Sequence, residues 1–336
     1  MAVIKLNGTD LIWSCGEEDT ILRAALRAGL GFPYECNVGA CGTCRFELLE
    51  GQVEHLRTDP PGLTEKDRQR QRYLGCQARP LSDCVVKLRL MNQYESRFRP
   101  RRSRAILRGT REITHDIREF QFQTEGLANF LPGQYALLDL PGVSGSRPYS
   151  MANVGNEDGA WHFQIKHVPD GQATAKLFRD LKVGAFVTLD GPYGVAYLRE
   201  GVDRDIICLA GGSGLAPMIS IARGATRTPV LAQRRLDFIY GGRSAADICG
   251  KDMLQQLPGF GNTIHFHPVV SGPLEFDDRW DGHRGFVHEL AQKLLADRLP
   301  SSEIYFAGPP MMGQAIQEML ANLGVPAAQI HFDQFY

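Results

Sequence analysis

The chain has 336 residues, too many for one compact core, so we expect two or three domains. Apolar residues make up 43% and charged residues 22% of the sequence, which argues against a disordered chain. The net charge of −1 and the lack of a Lys/Arg-rich run with interleaved aromatics argue against a nucleic-acid partner. We find no secretory leader pattern and no stretch near the ~20 apolar residues of a membrane span, and therefore expect a cytoplasmic protein without a membrane partner.

The first block, residues 1–92, combines short strands with one helix around a cysteine-rich loop. Alternating apolar residues predict strands at Ala2–Leu6 and Leu11–Ser14, and helical spacing predicts a helix over Thr20–Ala28. Further strands are predicted at 45–49 and 84–88.

Four of the eight cysteines have the spacing of a plant-type 2Fe–2S site. Cys36, Cys41 and Cys44 follow the pattern C-x4-C-x2-C, and Cys76 lies far downstream. In a reducing compartment such a group indicates metal ligands rather than disulfides. We expect the three loop thiolates to reach one side of the cluster and Cys76 to complete the second iron. Structural zinc is the alternative, but zinc sites usually pair their cysteines twice, and here the fourth cysteine is isolated.

Residues 93–104 contain five arginines and one acidic residue. This composition favours a solvated linker between domains, with a basic docking surface as the alternative.

Residues 105–202 consist of short β-type runs separated by turn signals. Tyr135–Leu140 precedes Pro141-Gly142, and Ala185–Leu189 precedes Asp190-Gly191-Pro192. Such spacing predicts an antiparallel sandwich or barrel.

Two motifs in this block suit a flavin. Tyr149 offers a flat face for the ring, Ser150 a hydroxyl for the reactive nitrogen, and Arg147 a cation for the pyrophosphate. Gly171 and Thr174 open an apparent helix, whose N-terminus would suit the same pyrophosphate. Taken singly, a turn and a helix cap are the alternatives for the two motifs.

From residue 203 to residue 336, buried-type strands alternate with helical stretches, which predicts βαβ units and a parallel sheet. The predicted strands are 206–210, 238–240, 264–270 and 304–306, and the predicted helices are 216–223, 287–295 and 313–323.

A glycine-rich turn between the first strand and helix of this block is a candidate phosphate-binding loop. It contains Gly211, Gly212, Ser213 and Gly214, and Pro217 stands where the last glycine of G-x-G-x-x-G would be. Strand, glycine-rich turn and helix together form the context in which backbone N–H groups hold a phosphate.

Two further segments follow predicted strands of the same sheet. Gly308 and Pro309 lie at the carboxyl edge, where ligands bind in open α/β sheets. Asp247 would favour the ribose diol of NADH and repel a 2′-phosphate, whereas Arg243 would attract one. The sequence therefore favours NADH, with NADPH as the alternative.

Taken in order, these motifs resemble the single-chain reductases of bacterial multicomponent aromatic oxygenases, over nearly the whole chain. The ending, residues 331–336, looks most like toluene and related arene monooxygenase reductases. The resemblance implies a β-grasp plant-type ferredoxin domain, a six-stranded antiparallel β-barrel FAD domain, and an α/β Rossmann-like NAD domain with a parallel sheet. The resemblance also includes the motifs Tyr34-Glu35-Cys36, Asp190-Gly191-Pro192-Tyr193-Gly194, Trp280-x-Gly282-x-x-Gly285 and Gly308-Pro309-Pro310-Met311.

The resemblance also implies roles for single residues, and FAD rather than FMN, because the ferredoxin domain comes last in the FMN-using relatives. Ser150 would lie near flavin N5 as the catalytic hydrogen-bonding group. The other implied flavin contacts are Arg147, Tyr149, Gly171, Thr174, and Phe335 or Tyr336 over the ring. The family usually has Cys before Gly-Pro-Pro where this chain has Ala307, which implies altered hydride-transfer geometry.

The implied function is an oxidoreductase of the EC 1.18.1 type in aromatic hydrocarbon catabolism. Electrons would pass from NADH to FAD, then to the 2Fe–2S cluster, and then to an oxygenase or hydroxylase component or its Rieske ferredoxin. One alternative is a reductase with the same three modules that serves deoxysugar biosynthesis, and another is a redox-sensing protein.

Overall fold

The computed structural model describes residues 1–273 and 280–334, and by compactness the chain divides into two units. Unit 1 comprises Met1–Ser103, Ala136–Pro148 and Thr188–Val195, and unit 2 comprises Arg104–Tyr135, Tyr149–Val187 and Ala196–Tyr336. Within the described residues, none of the helices has the length and apolar character needed to span a membrane.

Nineteen strands and seven α-helices occur in the described ranges. The strands are β1 Ala2–Leu6, β2 Ile12–Cys15, β3 Arg45–Glu50, β4 Val53–His55, β5 Arg72–Leu74, β6 Ala78–Pro80, β7 Cys84–Lys87, β8 Arg101–Glu112, β9 Ile117–Thr124, β10 Tyr135–Asp139, β11 Arg147–Ser150, β12 Ala160–Lys166, β13 Phe186–Tyr193, β14 Ile206–Gly211, β15 Leu236–Gly242, β16 Ile264–Val270, β17 His283–Arg284, β18 Glu303–Gly308 and β19 Ile330–Gln334. The helices are α1 Ile21–Arg27, α2 Glu65–Gln69, α3 Gln172–Ala175, α4 Leu215–Arg227, α5 Lys251–Gln255, α6 Val287–Leu295 and α7 Pro310–Asn322.

Unit 1 contains a mixed five-stranded sheet in the order β2-β1-β7-β3-β5, with α1 as its principal helix. β1 is antiparallel to β2 and parallel to β7, which is the mixed pairing expected of a β-grasp domain. The predicted helix Thr20–Ala28 is confirmed within one residue at each end. Thr20 caps α1 by accepting a hydrogen bond from the N–H of Arg23, and Ala28 is the residue that ends it.

The next sheet has six strands in the order β11-β10-β13-β8-β9-β12. A bridge between Met151 and Phe163 links its two edges, so the sheet is a nearly closed antiparallel barrel, as predicted. Large aromatic side chains of β9 and β12, such as Phe120 and Trp161, are fully buried.

The strand β8 begins at Arg101, inside the segment 93–104 that the sequence predicts as a linker. Arg102 extends from this strand to form ion pairs with Glu18 at 3.1 Å and Asp139 at 3.2 Å. The arginine-rich composition predicts a solvated linker, but long cationic side chains can equally lie along the exposed side of a strand. Composition alone therefore does not distinguish the two.

A six-stranded parallel sheet in unit 2 has the order β17-β16-β15-β14-β18-β19. Two clusters of buried apolar side chains pack against this sheet. One cluster includes residues of α4 and α5, and the other includes residues of α6 and α7. The chain runs outward from β14 to β17 and then returns to the other side of β14 as β18. The strand order therefore reverses between β14 and β18, where α/β sheets bind their ligands.

Candidate cofactor sites

The cysteine loop of unit 1 brings together the four predicted metal ligands. Cys36 and Cys41 are half-buried, whereas Cys44, just before β3, and Cys76, just after β5, are buried. A backbone hydrogen bond of 2.8 Å from the N–H of Gly75 to the carbonyl of Cys44 fixes the two buried cysteines to neighbouring strand ends.

Backbone N–H groups of the loop point at the sulfurs. The N–H groups of Ala40 and Cys41 each lie 3.3 Å from the Sγ of Cys36, and the N–H of Thr43 lies 3.5 Å from the Sγ of Cys41. Gly39 has a φ of +82°, a left-handed conformation that favours glycine and turns the loop so that these N–H groups converge. Such donors stabilise negative charge on cluster sulfurs.

The four cysteine sulfurs form two hydrogen-bonded pairs. Cys36 is hydrogen-bonded to Cys41, and Cys44 to Cys76. The hydrogen bond from Cys36 lowers the pKa of Cys41 to about 5, and the bond from Cys44 likewise lowers the pKa of Cys76. Cys44 pairs with Cys76 because it lies just before β3, beside the end of β5, rather than with the first two cysteines.

Two sulfur pairs fit two iron ions better than one zinc ion. Four thiolates on a single zinc would all lie about 3.8 Å apart, given tetrahedral Zn–S bonds of ~2.3 Å. Among the described residues, one group of three or more ligand atoms lies wholly within 4.8 Å, and it consists of His115, Asp116 and Asp247 rather than the cysteines. The donor set and its pairing therefore fit a 2Fe–2S group.

The predicted flavin motif Arg147, Tyr149 and Ser150 lies on β11. Ser150 is buried and Tyr149 half-buried. Nη1 of Arg147 donates to the carbonyls of the preceding turn, at 3.2 Å to Ser144 and 3.0 Å to Gly145. These two hydrogen bonds hold the Arg147 guanidinium against the turn that precedes β11.

The second flavin motif is a short loop followed by α3. The Thr174 hydroxyl donates to the carbonyls of Val168 at 3.1 Å and Gly171 at 3.2 Å, so it closes this loop. Gly171 precedes the helix, and no side chain caps the first backbone N–H groups of α3.

The glycine loop lies at the carboxyl end of β14, at the strand-order reversal. A Cβ added to Gly214 would lie 1.9 Å from the carbonyl oxygen of Ala307, so only glycine allows this loop to pass the end of β18. Gly211 ends β14, and Gly212 and half-buried Ser213 form the turn. The carbonyl of Gly212 accepts a 3.1 Å hydrogen bond from the hydroxyl of Tyr240.

Pro217 is the third residue of α4, within the first turn, where a helix needs no backbone N–H. This position explains why a proline replaces the last glycine of the common motif. The first residues of α4 therefore present N–H groups beside the glycine loop, in the geometry that suits a phosphate.

The end of β18 meets this loop from the other side of the reversal. Cβ atoms added to Gly211 and Gly308 would both clash with the side chain of Met312, at 2.8 and 2.5 Å, so the two backbones approach closely there. Pro309 precedes α7 directly, and its Cδ lies 3.7 Å from the same added Cβ of Gly211. The structure thus brings together the two predicted nucleotide segments.

Asp247 and Arg243 lie beyond the end of β15. The Oδ2 of Asp247 accepts hydrogen bonds of 2.9 Å from the N–H of Arg243 and 3.0 Å from that of Ser244, and so caps the turn. The Arg243 side chain is 75% exposed, with its Nε 3.9 Å from this carboxylate. The predicted Phe335 and Tyr336 lie outside the described residues.

Sequence reasoning missed Arg23, a buried residue of α1 that contacts the cysteine loop. The signal in the sequence is a charged residue within an otherwise apolar helical stretch. Its neighbours are all buried: Ile21, Leu22, Ala24, Ala25 and Leu26.

Three family models match consecutive parts of the chain. A 2Fe-2S iron-sulfur cluster binding domain matches residues 4–81, an oxidoreductase FAD-binding domain residues 104–197, and an oxidoreductase NAD-binding domain residues 208–318.

Curated relatives match nearly the full length. The ferredoxin–NAD(P)+ reductase CarAd of Metapseudomonas resinovorans is 39% identical over 327 residues, which is 96% of each chain. The xylene/toluene monooxygenase electron transfer component XylA of Pseudomonas putida is 31% identical over 338 residues, 100% of this chain and 94% of the relative. The solved ferredoxin reductase in carbazole 1,9a-dioxygenase has a TM-score of 0.92 at 36% identity, covering 100% of this chain and 98% of that one.

Proposed function

We propose a role for this chain on the premise that it belongs to the family of single-chain ferredoxin–NAD(P)+ reductase components of bacterial aromatic oxygenase systems. It has the 2Fe–2S, FAD-binding and NAD-binding domains of that family, as the sequence predicts. It is therefore an oxidoreductase that moves electrons from NAD(P)H through FAD to a 2Fe–2S group. The finer proposal is that NADH is the donor, and that an oxygenase component or its Rieske ferredoxin is the acceptor.

The observation that carries the donor proposal is the meeting of two nucleotide segments at the strand-order reversal. Gly214 passes the carbonyl of Ala307 so closely that no side chain fits, and the N-terminus of α4 lies directly beyond it. This arrangement supports a pyrophosphate on the glycine loop, with the nicotinamide towards Gly308 and Pro309.

Two observations support NADH over NADPH. The Asp247 carboxylate lies 3.9 Å from the Nε of Arg243 and offsets the positive charge that a 2′-phosphate would need. In addition, the alkene monooxygenase reductase component of Xanthobacter autotrophicus, which is 35% identical over 330 residues, covering 96% of this chain and 97% of that one, is named for NAD+.

When bound, FAD couples a two-electron nicotinamide donor to a one-electron iron–sulfur acceptor. Buried Ser150 is our proposed hydrogen-bonding group at flavin N5. The remaining proposed roles are flavin contacts for Arg147, Tyr149, Gly171, Thr174, Phe335 and Tyr336, nucleotide contacts for Gly211, Gly212, Ser213, Gly214, Pro217, Arg243, Asp247, Gly308 and Pro309, and iron ligation for Cys36, Cys41, Cys44 and Cys76.

The acceptor proposal rests on the relatives. The CarAd, XylA and alkene monooxygenase relatives are named as ferredoxin reductases or electron transfer components, the last two of monooxygenase systems. Cys36 and Cys41, which are half-buried, supply the side of the loop from which we propose that the electron leaves. We place this exchange in the cytoplasm, since free Cys15, Cys84, Cys208 and Cys249 fit a reducing compartment.

An anaerobic absorbance titration of the purified holoprotein tests the donor. We expect NADH to remove flavin absorbance and bleach the cluster bands at far lower concentration than NADPH. Asp247→Asn should keep one acceptor oxygen for the two N–H groups of the turn but remove the charge. It should raise the kcat/KM for NADPH relative to NADH by roughly tenfold, or about 1.4 kcal/mol. Asp252→Asn, at an exposed carboxylate, is the matched control. Equal kcat/KM for both nucleotides in the native protein would contradict the proposal.

Stopped-flow mixing tests the acceptor. The NADH-reduced protein is mixed separately with cytochrome c and with the acceptor components of the alkene monooxygenase and carbazole dioxygenase systems. We expect at least one oxygenase-system component to be reduced faster than cytochrome c. Rapid reduction of cytochrome c with no reduction of either component would count against this class of acceptor.

A further inference from the structure

Arg23 connects α1 to the cysteine loop from inside unit 1. The residue is 6% exposed, its Nε donates a 3.1 Å hydrogen bond to Oδ1 of Asn37, and its Nη2 donates a 3.3 Å bond to the Asn37 carbonyl. Asn37 follows Cys36 directly and has a φ of +58°, a left-handed conformation that asparagine tolerates. The arginine therefore holds the residue at which the loop turns.

Arg23 brings a positive charge into the interior and makes none of the ion pairs seen among the described residues, although its charge also acts on the buried carboxylate of Asp190. Within the described part of the chain, the ion pairs of α1 are made by Arg27, at 2.8 Å to both Asp19 and Asp190. Arg23 bonds only the amide oxygen and carbonyl of Asn37 in the same region. The direct hydrogen-bond partners of Arg23 are therefore neutral, and its charge acts through space on the groups around it.

The charge of Arg23 lies against the loop that carries the proposed iron ligands. Asn37, which accepts both of its hydrogen bonds, is the residue directly after Cys36. Gln77 also donates to the Sγ of Cys76, at 3.8 Å, but it is neutral. Arg23 is thus a buried charged group bonded directly to this loop, whereas Arg45, whose guanidinium lies beside the loop at Gly42, is paired with Asp67.

We propose that Arg23 is a positioning residue that raises the reduction potential of the 2Fe–2S group, by holding a buried positive charge against the cysteine loop. One-electron reduction adds negative charge at the loop, and a nearby cation in a low-dielectric interior stabilises that added charge. The proposal goes beyond the donor and acceptor proposed above, and it does not depend on either.

The test is an EPR-monitored redox titration of the holoprotein, with iron content measured in parallel. In Arg23→Gln, which keeps a hydrogen-bond donor for Asn37 but removes the charge, we expect the midpoint potential of the cluster to fall. In Arg23→Lys, which keeps the charge, the potential should stay near that of the native protein. Lys87→Gln removes the same charge from an exposed strand position and should leave the potential unchanged.

Each outcome decides the proposal. An unchanged potential in Arg23→Gln overturns it, and so does an equal fall in Arg23→Lys, because hydrogen bonding and not charge would then be responsible. Loss of the cluster in Arg23→Gln with retention in Arg23→Lys supports it, since the charge separates the two variants. Loss of the cluster in both overturns it, because Arg23 would then serve packing alone.

Discussion

Arg27 binds both carboxylate oxygens of Asp190, at 2.9 and 2.8 Å, across 163 positions of the chain. The Asp190 side chain is 2% exposed and also accepts a 2.9 Å hydrogen bond from the hydroxyl of Tyr193. Burial opposes the ionisation of Asp190, but the hydrogen bonds and charge of Arg27 hold its pKa below the usual range. Both residues belong to unit 1, whose helix α1 and strand β13 they join.

Replacing Asp190 by Asn should destabilise the protein strongly. The change leaves Arg27 without its bidentate partner, and breaking a buried pair costs about 3–5 kcal/mol. Urea unfolding of the holoprotein measures the loss. Lys87→Ala breaks an exposed pair with Glu47 in the same unit and should change the free energy of unfolding by about 1 kcal/mol or less. Equal effects of the two variants would contradict the assigned importance of Arg27 and Asp190.

Asp237 should make the stability of the parallel sheet sensitive to acid. Burial opposes its ionisation, but hydrogen bonds from His267, Arg235 and Arg298 hold its pKa well below the usual range. Because the unfolded chain binds this proton more readily, the stabilisation is fully present above the ordinary Asp pKa of about 3.9. It is lost as the pH falls towards the lower folded-state value.

The measurement is the free energy of unfolding from neutral pH down to about pH 3, compared with Asp237→Asn. The variant should be less stable at neutral pH by about 3 kcal/mol or more, since two arginines lose a buried partner. The difference between the two proteins should shrink as the pH falls. A difference that stays constant over this range would show that Asp237 contributes no pH dependence.

Gly214→Ala should disrupt the nucleotide loop. The added methyl would lie 1.9 Å from the carbonyl oxygen of Ala307, so the backbone must move, at a cost of about 3 kcal/mol. We expect a raised KM for NADH together with lower stability. Gly201→Ala is the matched control, because a Cβ there meets no atom within 4 Å and its φ is ordinary. An unchanged KM in Gly214→Ala would contradict the location of the site.

Cys41→Ser should stop electron exit while sparing the reduction of the flavin by NADH. Cys41 forms one of the two sulfur pairs with Cys36, so its loss should leave one iron without a complete ligand set. Stopped-flow absorbance at the flavin band and cytochrome c reduction separate the two steps. Cys84→Ser, in β7 of the same sheet, should retain iron and full activity, because its Sγ donates to backbone carbonyls that a hydroxyl also satisfies. Undiminished cytochrome c reduction in Cys41→Ser would rule out this path.

Elements with a clear apolar period could be predicted from the sequence, and elements without one could not. The predicted strand 206–210 and helix 216–223 correspond to β14 and to the interior of α4, because apolar runs and helical spacing are strong there. The strand β17 has two residues and α5 has five, too few to produce a period. The predicted domain boundaries at 92, 104 and 202 stay predictions.

The site was predictable where a motif is local. Three of the four cysteines lie within nine residues, and the glycine loop is one turn, so their spacing carries the chemistry. The pairing of Cys44 with Cys76, the bonds of Arg23 and the capping by Asp247 depend on contacts that spacing does not encode. In particular, Asp247 is predicted to face the ribose, while its Oδ2 accepts hydrogen bonds from the adjacent turn.

Unit 1, which contains the cysteine loop, extends beyond its N-terminal segment Met1–Ser103 and includes Thr188–Val195. Tyr34, two residues before Cys36, accepts a 2.9 Å hydrogen bond from the N–H of Gly194 and packs edge-on against Tyr193, at 6.3 Å between ring centroids. A fragment of residues 1–103 would therefore leave Tyr34 and Arg27 without these partners. Module exchange between reductases of this family would need to carry the barrel segment 188–195 along with the ferredoxin sequence, or redesign both surfaces together.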